Sequence, residues 1–244
     1  KDWLVCTACS AGPAFEGGGI ECGMRAAKGA IEEVMIDGAT GKPDLKIINS
    51  DVAKGICGTG LISLLSNLFR TGWIDSAGKL NREKSSDYIK IDGRNAAFCL
   101  IDPDTGNSAL NISELEFENI IRAKAAIYSA CLLMLNQLEL DFSMIGKFYI
   151  AGGFGRYLNL EDCITIGLLP DIERSQFEFI GNTSLIGSYF SLISKDFRQK
   201  QQDIANRMTY LDLGSDPSYM DHYMAALFLP HTDQSLFPSV ITKP

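Results

Sequence analysis

The sequence predicts an α/β protein, a mixed sheet flanked by helices with an inserted strand-rich segment. Two observations carry that reading. Short apolar or alternating runs take turns with runs of helical period along the whole chain. Glycine-rich stretches at 10–20, 55–60 and 151–155 stand where strand patterns give way to helix patterns. The last is the most informative: Phe148-Tyr149-Ile150-Ala151-Gly152-Gly153-Phe154-Gly155 runs a strand straight into a glycine pair.

From the N-terminus, Asp2–Cys9 reads as a strand and Ser10–Ile20 as a glycine-rich turn, followed by a short helix pattern over Gly23–Ala30. Glu32–Asp37 and Lys46–Asn49 read as strands around a polar turn. Gly55–Gly60 opens a helix to about Arg70, with Leu61, Leu64, Leu65 and Leu68 at helical spacing. Residues 75–87 are polar and charged and predict a mobile surface loop. Strands follow at 88–91, 96–101 and 109–112, the last two joined by an Asp-Pro-Asp-Thr-Gly turn. Ser113 and Glu116 are spaced for a capping box at the start of a helix reaching about Leu140.

After the strand at 148–151, the spacing predicts a helix over Asn159–Leu168 and a strand over Phe177–Ile180. Gly181–Ser184 opens a further helix. A charged helix (197–208), a strand (209–213), a helix capped near Asp216 and an extended proline-bearing tail complete the pattern. The apolar segments 183–195 and 217–228 read as helices packed onto the sheet, with a partner-binding face as the other reading.

Composition limits the function. The hydrophobic share of 46% and charged share of 21% fit a globular chain with a real core. A net charge of −8 argues against nucleic acid and against an anionic membrane surface. No apolar run reaches the roughly 20 residues needed to span a bilayer. Seven scattered cysteines fit reduced thiols of a cytoplasmic protein. Cys6 and Cys9 form a lone CxxC without the second pair that a zinc or iron–sulfur site needs. Two histidines, His222 and His231, exclude a histidine-rich metal site.

Glycine at a strand's carboxyl end lets backbone approach a ligand closely, and that edge is where open α/β sheets bind ligands. Helix N-termini beside glycine turns favour phosphate. The three junctions together therefore point to a nucleotide, although neither a GxGxxG in a dinucleotide-binding context nor a GxxxxGK[ST] is present. Glu16, beside Gly17–Gly19, could position a metal-bound water or cap the next helix. Lys124 sits among small residues and from composition alone reads as a snorkelling surface lysine. Asp51, Asp75, Asp102 and Asp104 read as turn residues, and Glu161 and Asp162 as first-turn helix acids.

Several motifs occur together: Cys9-Ser10-Ala11-Gly12-Pro13-Ala14-Phe15-Glu16-Gly17, Gly55-Ile56-Cys57-Gly58-Thr59-Gly60-Leu61-Ile62, and Ala123-Lys124-Ala125-Ala126-Ile127. Ile150–Gly155, Ile166-Gly167-Leu168-Leu169-Pro170 and Leu229-Pro230-His231-Thr232-Asp233 follow in order. The set resembles the ATPase portion of reductive activators of corrinoid proteins, the activating enzymes of corrinoid-dependent methyltransferases.

The resemblance implies a ribonuclease-H-like half of an actin-like ATPase, covering most of the second half over 1–244, with 75–112 an insertion. It implies ATP or ADP with magnesium, bound through Gly12, Glu16, Gly17, Gly58, Thr59, Lys124, Gly152, Gly153 and Phe154. It implies a corrinoid protein as partner, a homodimer, and an iron–sulfur domain upstream that supplies an electron for reducing Co(II) to Co(I). The chain opens at Lys1-Asp2-Trp3 without an initiator Met. The family's Asp-x-Gly-Thr phosphate loop is expected before it, so the fragment alone is expected to hydrolyse ATP poorly and no catalytic residue carries over. A sugar or acyl kinase of the same superfamily, a diol-dehydratase-reactivase-like ATPase, and a dimerisation and docking module remain as alternatives.

Overall fold

The computed structural model describes residues 3–84, 86–101 and 110–240, with the backbone but not the side chain of Arg156. It divides into two compact units. The larger comprises Ser10–Ser129, Asn159–Asp171 and Asp221–Pro244; the smaller comprises Lys1–Cys9, Ala130–Leu158 and Ile172–Met220.

In the larger unit, β2 (Ala30–Ile36) is the centre of a three-stranded sheet, antiparallel to β3 (Pro43–Ile47) and parallel to β4 (Gly55–Ile56). Helix α1 (Gly58–Arg70) follows β4 directly and packs on β2. Its leucines at 61, 64, 65 and 68 are fully buried, each such side chain contributing roughly 1.5–3 kcal/mol. The polar positions are enclosed too. Ser63 Oγ donates to the Val34 carbonyl and accepts the Val34 N–H, both at 3.1 Å. Gly60 makes this approach possible, because a Cβ there would overlap the Ile31 carbonyl.

The expected helix over Gly23–Ala30 is not formed. Those residues make turns, and the Met24 N–H donates to the Ile56 carbonyl at 2.9 Å. Gly23 also bridges Ile56, so pairing with β4 overrides the local helical pattern.

Strands β5 (Ile89–Asp92), β6 (Asn95–Cys99) and β7 (Asn111–Ser113) form an antiparallel sheet. The turn expected at 102–106, with Asp102 and Asp104, lies outside the described residues. The segment 75–87 is better anchored than its polarity suggested. Leu80 is buried, its N–H donates to Glu114 Oε1 at 2.9 Å, and Lys79 and Arg82 pair with Glu118 and Glu114. The buried apolar residues Trp73, Ile74 and Leu80 hold it down, and the Lys84 amine lies 4.9 Å from the centre of the Trp73 ring.

Helix α2 (Glu114–Gln137) begins with the predicted capping box: Ser113 N–H donates to Glu116 Oε2 at 2.7 Å, and Glu116 N–H to Ser113 Oγ at 3.4 Å. Helix α3 (Leu160–Thr165) is capped by Asn159, whose Oδ1 accepts the Asp162 N–H.

In the smaller unit, β1 (Leu4–Cys6) pairs in parallel with β10 (Met208–Tyr210), and β8 (Phe148–Ala151) in parallel with β9 (Phe177–Gly181). A small core gathers Ala130, Leu133 and Leu213, with Met134, Leu211 and Tyr219 against it. Asn182 and Ser194 cap α4 (Thr183–Ile193) and α5 (Lys195–Asn206). The expected burial of the 183–195 segment is not met. No α4 residue is buried and Leu192 is 80% exposed, because α4 meets α5 through Phe190 and Phe197 and leaves much apolar surface uncovered. Helix α6 (Tyr219–Ala226) is followed by a short 3-10 turn at Gln234–Leu236.

Candidate functional site

The glycine junctions behave in two ways. At Gly17 the chain turns in the left-handed region (φ +84°), and a Cβ there would stand 2.6 Å from the Met24 nitrogen. Gly23 packs back on Gly17 so closely that a Cβ would overlap the Gly17 carbonyl. These two glycines are required by packing alone. Gly12 is different: φ is +74° and nothing lies within 4 Å of where its Cβ would be. Glu16, in the 3-10 turn Ala14–Glu16, is exposed.

At 57–60 the chain enters α1 through Cys57 in extended conformation, with no side-chain cap and no acidic residue in the first turn. Gly58 is buried and Thr59 half-buried, its Oγ1 3.3 Å from Cys57 Sγ. An uncapped 13-residue helix presents first-turn N–H groups and the positive end of its dipole, an arrangement that suits phosphate.

In the smaller unit, Gly152 takes φ +99°, and its N–H donates to the Gly181 carbonyl at 2.8 Å. A Cβ on Gly152 would meet nothing within 4 Å, and one on Gly153 only Asn182 Nδ2 at 3.8 Å. The backbone after β8 is therefore bare on the side where side chains would project. Phe154, 38% exposed, follows it. The structure thus puts Gly12, Glu16, Gly17, Gly58, Thr59 and Lys124 in the larger unit and Gly152, Gly153 and Phe154 in the smaller.

Lys124 does not snorkel. It is fully buried, and Nζ donates to the Phe228 carbonyl at 2.6 Å and the Pro230 carbonyl at 2.8 Å. Burial drives the amine well below the ordinary lysine range. Any contact with a nucleoside would compete with those two carbonyls. Gly167 (φ +73°) presses on the same turn, where a Cβ would overlap the Pro230 carbonyl oxygen. Three sequence motifs, at 123–127, 166–170 and 229–233, thus converge on one turn. The small residues around Lys124 were the signal for it.

The larger unit also buries one of the two acids that the sequence reads as first-turn helix residues. Asp162 on α3 is buried against α1, with Ser66 and Arg70 as partners. All seven cysteines are free thiols, and the described residues include no cluster of three or more His, Cys, Asp or Glu side chains suited to a metal. No helix among the described residues is long and apolar enough to cross a membrane.

Mixed sheets, flanking helices and glycine-lined turns of this kind define an actin-like domain of the ASKHA class. Over residues 1–241 the chain matches the family described as the C-terminal domain of RACo, the ASKHA domain, and it belongs to that family. It is 31% identical over 233 residues to the corrinoid activation enzyme RamQ of Eubacterium limosum, covering 92% of this chain and 39% of that protein. It is 25% identical over 248 residues to the [Co(II) methylated amine-specific corrinoid protein] reductase of Methanosarcina barkeri, covering 93% and 42%. A solved structure of a reductive activator for corrinoid, iron-sulfur protein superposes with a TM-score of 0.92 at 46% identity, over 98% of this chain and 38% of that one. The chain spans well under half the length of each of these proteins.

Proposed function

We propose that this chain is the nucleotide-binding part of a reductive activator that returns corrinoid protein from Co(II) to Co(I). One electron passes to cobalt from an iron–sulfur cluster on another domain, and ATP hydrolysis assists this uphill step. The corrinoid protein is the partner and electron acceptor, magnesium accompanies the nucleotide, and the protein works as a cytoplasmic homodimer. Family membership supports this reading, as do the relatives' names, which speak of corrinoid activation and of Co(II) corrinoid protein reduction.

The observation that carries the nucleotide assignment is the bare backbone at Gly152–Gly153, with open space where their Cβ atoms would be. Gly12 offers similar room in the larger unit. The uncapped start of α1 suits phosphate. This chain's own residues would bind and orient the nucleotide.

Isothermal titration with magnesium ADP and magnesium ATP tests the reading, with Gly153→Asp as the control. Saturable binding that the control loses while staying folded is the expected result. Equal affinity in the folded control would remove the nucleotide role from this loop.

A second reading has one observation in its favour. The exposed apolar face of α4, with Leu185 67% and Leu192 80% exposed, suits a module that docks a corrinoid protein. That reading expects complex formation in a pull-down without nucleotide, and loss of the complex on Leu192→Asp.

A further inference from the structure

His231 is nearly fully buried beneath the C-terminal segment of the larger unit, against the rings of Tyr128 (5.7 Å) and Phe237 (6.4 Å). Its Nδ1 accepts the Asp233 N–H at 3.0 Å. A neutral imidazole that accepts at Nδ1 carries its hydrogen on Nε2, and here Nε2 is buried without a partner among the described residues. The ring is held through one acceptor atom.

We propose that the turn Phe228–Asp233 is a proton-operated latch, closed while His231 is neutral and released when it becomes an imidazolium. The second proton can go only to Nδ1. That atom then becomes a donor facing the Asp233 N–H donor, and the 3.0 Å bond turns into a repulsion. The new cation also lies near Lys124, whose Nζ grips the same turn through the Phe228 and Pro230 carbonyls. Opening the turn exposes the imidazole to water, where it takes a proton readily, so release reinforces itself. The outer end of the segment is fastened separately by Asp171, which accepts from the Ser239 N–H and hydroxyl. Release therefore affects the stretch between the turn and Ser239.

The charged groups acting on His231 come from three elements: Lys124 on α2, His222 on α6, and Asp233 on its own turn. Burial, then Lys124, lowers its pKa from the ordinary 6.5, with His222 acting the same way and Asp233 opposing. A base with a lowered folded-state pKa supports the fold fully above its unfolded value. That support is lost as pH falls through the folded value. The latch is thus whole above about pH 6.5 and weakens below it.

The test is amide hydrogen exchange of the full 244-residue chain between about pH 8 and pH 5, corrected for intrinsic exchange. The corrected rates at Leu229, Thr232 and Asp233 should rise severalfold toward acid. His231→Asn, whose Oδ1 still accepts the Asp233 N–H but does not titrate, should show a flat profile. Flat wild-type exchange overturns the latch, as does a variant that rises as steeply as wild type. Nitrogen-15 resonances of the wild-type ring supply a check that needs no variant. The Nε2–H tautomer is expected near pH 8, and the Nδ1–H tautomer overturns the latch.

Discussion

The Asp162 carboxylate on α3 accepts a 2.7 Å hydrogen bond from the Ser66 hydroxyl on α1. Arg70 completes the join: one of its nitrogens lies 3.6 Å from the same oxygen, and its Nε donates to Thr165 Oγ1 at 3.0 Å. The pair carries a pH signature. Burial raises the Asp162 carboxyl above its ordinary 3.8, outweighing Ser66 and Arg70, which act the other way. A raised acid supports the fold at low pH and loses that support as pH rises through its folded value. Asp162→Asn keeps an acceptor for Ser66 and removes the titration. Its stability relative to wild type should improve as pH rises above about 4. Urea midpoints of both proteins at pH 4 and pH 7 check this; a constant difference contradicts it.

Lys124→Met should cost about 2–4 kcal/mol. Each buried carbonyl left without a donor costs about 1–3 kcal/mol, and removing the buried amine returns part of this. The Phe228 and Pro230 carbonyls are the two acceptors affected. Nucleotide affinity of the folded variant should stay as in wild type. A loss of affinity without a loss of stability would move Lys124 from the core to the ligand.

Gly167→Ala should be among the most damaging single-methyl additions in the chain. The left-handed backbone alone costs roughly 1–2 kcal/mol for a residue with a Cβ. The overlap with the Pro230 carbonyl adds to that. A drop of at least about 3 kcal/mol is expected, read from urea unfolding.

Gly12→Ala and Gly17→Ala should separate binding from folding. Both glycines have positive φ, but only Gly17 has a backbone nitrogen 2.6 Å from the added carbon. Gly12→Ala should cost about 1 kcal/mol of stability while weakening nucleotide binding. Gly17→Ala should lose several times that stability. Equal destabilisation in a thermal melt would contradict the distinction.

Sequence-local signals gave most of the elements. The Ser113–Glu116 spacing gave the capping box, and the leucines from 61 to 68 gave α1. What escaped depended on partners far along the chain. Gly23–Ala30 has a helical pattern, yet it pairs with Ile56, which no local reading reveals. Lys124 finds its acceptors 104 and 106 residues later; the small residues beside it leave room for burial but do not name those acceptors. The two classes of glycine look alike in the sequence and differ only in what stands opposite each missing Cβ. The apolar run in α4 reads as core by composition, and only the smaller unit's packing leaves it uncovered.

The separation between Lys124 and Phe228 has a consequence for synthesis of the protein. A ribosome makes Lys124 104 residues before the first carbonyl that will hold it. At about 5–20 residues per second, α2 waits roughly 5–20 s with an unmatched amine on a face meant for the interior. Through that interval the nascent unit cannot close around Lys124 without stranding a polar group. Its final packing is therefore held back until the Phe228–Pro230 segment emerges, and a chain stalled before it would be left as a target for chaperones and proteases.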